Sequence, residues 1–149
     1  MIKIVIGADH RGYWLKECLK KKLSSICQFI DIGTNSTEPV DYPDITALAV
    51  KKIQSGECER GIILCGSGVG ASVAANKFKG IRAAICHDTF SAHQGVEDDD
   101  MNVLCLGSGV IGQSLAEDII ETFLNARFKS EEERYVRRLD KVKKFEDKS

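Results

Sequence analysis

Apolar positions along this chain come in short bursts, separated by stretches whose hydrophobic residues recur at helical intervals. "IKIVIGAD" (2–9) reads as a buried strand, and "RGYWLKECLKKKL" (11–23) follows with Trp14, Leu15, Cys18 and Leu19 at helical spacing. "QFIDIG" (28–33) predicts a second strand. "DYPDITALAVKKI" (41–53) predicts a helix with Pro43 in its first turn, where a missing N–H costs nothing. "GIILCG" (61–66), "IRAAICHD" (81–88) and "NVLCLG" (102–107) predict three more strands, while "ASVAANKF" (71–78) and "GQSLAEDIIETFLNARF" (112–128) predict helices.

Strands this continuously apolar are buried on both faces, which implies a parallel sheet covered by helices on each side. The expected fold is one doubly wound, Rossmann-like α/β domain over residues 1–149, with a five-stranded parallel sheet. Ligands in such sheets bind beyond the carboxyl ends of the strands, where the strand order reverses. That rule directs attention to Asp9, His10, Cys65 and the glycine turns after residues 65 and 106. The tail (128–149) has a different character: highly charged, with Tyr135, Val136, Leu139, Val142 and Phe145 making one apolar stripe. A helix so polar needs that stripe docked, on a partner subunit or on its own domain.

Composition narrows the function. With 149 residues, 43% hydrophobic, 29% charged and a net charge of -1, the chain gives no electrostatic reason to expect nucleic acid or an anionic membrane as partner. No apolar run is long enough to span a bilayer, and "MIKIVIGADH" lacks a signal-peptide design. Six cysteines without any C-x-x-C pair suit a reducing cytoplasm better than a disulfide framework or a zinc knuckle. Asp98, Asp99 and Asp100 resemble a metal cluster, but adjacent carboxylates in a loop with no matching histidine read as a solvated acidic run, so no metal or cofactor is expected.

The central stretch "LCGSGVGA" (64–71) admits three readings. It matches G-x-G-x-x-A, as "GSGVIG" (107–112) matches G-x-G-x-x-G, and Asp88 ends the next strand, so a dinucleotide could bind. Against this, the fingerprint belongs on a fold's first strand, and two copies compete. The glycines could also merely permit tight strand-to-helix turns. In the third reading, the amides from Gly66 to Gly70 form an anion cradle at a helix N-terminus, and the same positive end favours a thiolate at Cys65. A base beside an oxyanion cradle is what proton abstraction next to a carbonyl requires.

With these residues assembled, the chain resembles the type B ribose-5-phosphate isomerases, a family that includes galactose-6-phosphate isomerase subunits. The likeness rests on "GADHRG" (7–12), "DIGT" (31–34), "DYPD" (41–44), "LCGSGVGASVAANKFKGIRAA" (64–84), "DDMNVLCLG" (99–107) and the arginine-bearing tail. It implies interconversion of ribose 5-phosphate and ribulose 5-phosphate through a cis-enediol, without metal. Cys65 would carry the proton between C1 and C2, and Ser67 would contact the reacting oxygens. The amides of Gly66, Gly68, Val69 and Gly70 would hold the negative charge. Asp9 and His10 would bind the sugar phosphate, Tyr42 would line the pocket, and Arg134 and Arg138 would grip the phosphate. Homodimers or dimers of dimers with shared sites are implied.

The chain departs from the family's pattern at two positions. Asp98 stands where a histidine, the ring-opening acid, is usual, and Gly109 replaces a phosphate-binding arginine; Asp99 also stands where some members carry asparagine. Loss of one charged contact costs about 1.5–3 kcal/mol of binding. These departures keep open a sugar-phosphate-binding module with impaired turnover, or an isomerase of galactose or allose 6-phosphate.

Overall fold

A computed structural model describes residues 1–147; Lys148 and Ser149, the end of the expected tail, lie outside the described residues. The strands are β1 (Lys3–Ala8), β2 (Gln28–Asp31), β3 (Arg60–Cys65), β4 (Ala83–Ile85) and β5 (Val103–Gly107). The helices are α1 (Tyr13–Lys22), α2 (Tyr42–Gln54), α3 (Val69–Ala75), α4 (Thr89–Asp99), α5 (Gln113–Asn125) and α6 (Glu133–Glu146). All strand pairs are parallel, in the order β2-β1-β3-β5-β4. The expected five-stranded Rossmann-like sheet is the observed one.

The period of a strand explains the two cores. Ile4, Ile6, Ile62, Leu64, Leu104 and Leu106 point to one face, where α1, α4 and α5 cover them with Leu19, Val96, Ile119 and Phe123. Val5, Ile63, Cys65, Val103 and Cys105 point to the other face, under Ala49 and Val50 of α2 and Ala71 and Ala75 of α3. Each Ile or Leu so buried contributes about 1.5–3 kcal/mol, which holds the sheet between its two helical layers.

Two expectations need correction. The acidic run 98–100, read as lying in a loop, closes helix α4, whose start Asp88 caps through Oδ1, which accepts the Ser91 amide at 2.6 Å. Asp98 and Asp99 are therefore the last turn of a helix, and Asp100 closes it in the left-handed conformation at φ 52. On α1 the inward residues are Leu19 and Lys16, whereas Cys18 is exposed and Trp14 is 68% exposed. Lys16 is wholly buried because its ammonium reaches Asp31 at 2.6 Å, at the end of β2. Burial alone would raise the Asp31 carboxyl, but hydrogen bonds from Lys16, Lys20 and the Gly33 amide hold it below its ordinary range. The tail forms α6, which lies against α4 with Leu139 buried, while Val142 and Phe145 remain exposed beside a groove of about 780 Å³.

Candidate active site

The strand order reverses between β1 and β3, so the carboxyl ends of these strands open a crevice. β1 delivers Asp9 and His10 to it. Asp9 is 6% exposed, and its Oδ1 accepts the amides of Arg11 and Gly12 at 3.0 and 3.1 Å, turning the chain sharply into α1. His10 accepts the Val40 amide at Nδ1 (3.2 Å), which puts the proton of the neutral ring on Nε2 and ties the histidine to the loop after β2.

β3 delivers Cys65, 5% exposed, on the α2/α3 face. The loop that follows folds back on the sulfur: Gly68 adopts a left-handed φ of 84, and its amide donates to Cys65 Sγ at 3.1 Å. The Val69 amide donates to Ser67 Oγ at 3.2 Å and fixes that exposed hydroxyl. Among the described residues, nothing accepts the amides of Gly66, Ser67 and Gly70. The expected cradle thus has two kinds of donor: Gly68 and Val69 hold the sulfur and the hydroxyl, and the other three amides have no partner among the described residues. Tyr42, at the start of α2, covers the far side, since a side-chain carbon at Gly70 would come within 2.6 Å of its ring. The sulfur shows only a sliver of surface, and the groove beside α6 is lined by other residues.

The second glycine turn has a structural task. The amides of Ser108 and Gly109 donate to the carbonyls of Cys65 and Gly66 at 2.8 and 2.9 Å, and the Gly107 amide donates to His87 Nε2 at 2.9 Å. This turn buttresses the first, with the amides of residues 107–111 occupied. The dinucleotide reading also loses its acid, because both Asp88 oxygens cap α4 through the Ser91 amide and hydroxyl. The other strand cysteines are packing groups: burial pushes the Cys86 thiol up to about 11 and raises Cys105 as well.

Asp98, Asp99, Arg134 and Arg138 gather elsewhere in the chain. α4 leaves the carboxyl end of β4 and its 11 residues span about 16 Å, so Asp98 and Asp99 lie toward the amino ends of the strands. There Asp100 meets Arg82, which precedes β4. Burial raises the Asp99 carboxyl, the neighbouring Asp98 charge adds to this, and Arg138 opposes it; Arg134 senses Asp98 in turn. One chain therefore brings together Asp9, His10, Tyr42, Cys65, Ser67 and the glycine amides, but not the acidic pair and the tail arginines. Sequence reasoning missed Arg11, whose guanidinium lies on Gly66; its place beside Asp9 and His10 was the available signal. No helix of the described residues is long and apolar enough to cross a membrane.

Residues 4–142 match the Ribose/Galactose Isomerase family. The chain is 39% identical to ribose-5-phosphate isomerase B of Escherichia coli over 149 residues, covering 99% of each. It superposes on ribose-5-phosphate isomerase B of Clostridium thermocellum with a TM-score of 0.94 and 44% identity, covering 99% of both chains. With that isomerase from Mycoplasma genitalium, solved with bound ribulose 5-phosphate, the TM-score is 0.92 at 34% identity, covering 99% of this chain and 98% of that one.

Proposed function

We propose that this chain, which belongs to the ribose/galactose isomerase family, is an aldose–ketose isomerase that interconverts ribose 5-phosphate and ribulose 5-phosphate. The observation that carries the reading is the Gly68 amide on Cys65 Sγ beside three unpartnered amides, at the carboxyl end of β3. The Cys65 thiolate takes the proton from C2 of the open-chain aldose. Charge then moves onto the carbonyl oxygen, and the amides of Gly66, Ser67 and Gly70 stabilise it; one such donor is worth about 10²–10³ in rate. Ser67 Oγ, steadied by Val69, passes the O2 hydroxyl proton to O1, and as C2=O forms the thiol returns the carbon proton to C1. Asp9 and His10 bind the sugar and Tyr42 closes the wall over Gly70.

Asp98, Asp99, Arg134 and Arg138 complete the site of a second copy. They lie far from Cys65 in their own chain, and the exposed apolar residues Leu48, Val69, Val73 and Val110 offer a surface for pairing. The working enzyme is a homodimer or a dimer of dimers in the cytoplasm, with α6 at the subunit interface. In the partner's site Asp98, standing where the family has histidine, is a poor proton donor for opening the furanose ring, so the open-chain sugar is the better substrate. The test is incubation with ribose 5-phosphate while ketose formation is followed. Saturable binding without ketose, even from open-chain substrate, would replace this reading with a sugar-phosphate-binding module.

A further inference from the structure

One side chain in the crevice between β1 and β3 has no task in the account above. Arg11 is pinned through its backbone from both sides: its amide donates to Asp9 Oδ1 at 3.0 Å, and its carbonyl accepts the Ser108 hydroxyl at 2.8 Å. Its guanidinium covers Gly66, the residue directly after Cys65; a carbon added at Gly66 would come within 2.6 Å of Arg11 Cζ and Nη1. Arg11 is exposed and, among the described residues, pairs with no carboxylate. Asp9 forms no ion pair with it, and the contact between the two runs through the Arg11 main chain.

The Arg11 side chain is open to solvent, and Gly109, whose amide donates to the Gly66 carbonyl, adds no side chain beside that residue. An unpaired planar fork beside the Cys65 loop, at the point where the strand order reverses, is built to take the phosphate end of a sugar whose reacting end lies on the amides. Arg134 and Arg138 are at the other end of the same chain and cannot serve here in cis.

We propose that Arg11 binds the phosphate of the sugar phosphate, so that each chain carries its own phosphate-binding arginine beside its own Cys65. This rests on the reading of the crevice as a sugar-phosphate site. The experiment is calorimetric titration of the full chain with ribose 5-phosphate and with ribose, for the wild type, Arg11→Gln and Arg11→Lys, alongside turnover. Arg11→Gln is expected to weaken ribose 5-phosphate binding about tenfold or more, and to weaken it more than ribose binding. Arg11→Lys keeps the charge without the fork and falls between. Binding within about twofold of the wild type in Arg11→Gln would overturn the proposal, as would an equal loss for ribose and its phosphate, which would put the guanidinium on the reacting oxygens. If Arg11→Gln does not fold, Arg11→Lys decides: about threefold weaker binding supports the proposal, and unchanged binding overturns it. A wild type that binds the sugar phosphate without converting it would sink the isomerase reading and leave Arg11 standing. Full turnover with an indifferent Arg11 would do the reverse.

Discussion

Substituting Gly107 by alanine should damage the site from behind, without replacing any residue assigned to chemistry. An alanine Cβ at this position would lie 2.6 Å from both the carbonyl carbon and the oxygen of Ser67, and 2.7 Å from its Cα. That is about 0.8 Å inside ordinary contact, and the obstacle is main chain, which cannot swing aside as a flexible side chain would. The 66–70 loop must move, and with it the Gly68 amide on the sulfur and the Ser67 hydroxyl. Overpacking of this kind costs about 1–3 kcal/mol, or a fall in melting temperature of about 2–12 °C for a chain of this size. A shift approaching 1 Å costs about 10²-fold in rate. The controls are graded: Gly109→Ala meets one oxygen at 3.0 Å and should be milder, and Gly112→Ala meets nothing within 4 Å and should be silent. Thermal melting and initial rates on ribose 5-phosphate read all three. Wild-type rate and stability in Gly107→Ala would refute the claim that the second turn sets the geometry of the first.

The buried Lys16 gives a stability prediction: Asp31→Asn leaves its ammonium with Glu17 alone, at 3.2 Å, and should cost about 3–5 kcal/mol by denaturant titration. Because the native Asp31 carboxyl lies below its ordinary value, its contribution is complete above about pH 4 and is lost as pH falls through the depressed native value. Asp31→Asn should therefore flatten the acid side of the stability profile, and an unchanged profile would show that the carboxylate contributes nothing. For the shared site, two inactive variants should rescue one another: Cys65→Ala mixed with Arg134→Ala/Arg138→Ala gives some dimers with one intact site. If the mixture stays inactive although mixed dimers form, the tail arginines do not act across an interface.

Much of this was legible from residue order. The strands announced themselves because a parallel strand buried on both faces leaves little room for polar residues, and Cys65 stood out by ending one of them. α4 stayed hidden because "TFSAHQGVEDDD" has only Ala92 and Val96 buried, too thin a stripe to register as helical. Lys16 stayed hidden for the converse reason: a lysine at an inward position reads as solvent-facing until its partner Asp31, fifteen residues on, is brought to it by the β1–β2 pairing. Residue order could not reveal that the second glycine turn braces the first, since that depends on β5 lying between β3 and β4.

The central claim is that Cys65 carries the proton between C1 and C2. Its most direct test is reaction of ribose 5-phosphate in deuterium oxide with the wild type and Cys65→Ala, read by NMR of the sugar. The wild type should form ribulose 5-phosphate with solvent deuterium at C1, and a folded Cys65→Ala should give neither ketose nor exchange. Deuterium entering the sugar at an undiminished rate in the variant would mean that another group is the base.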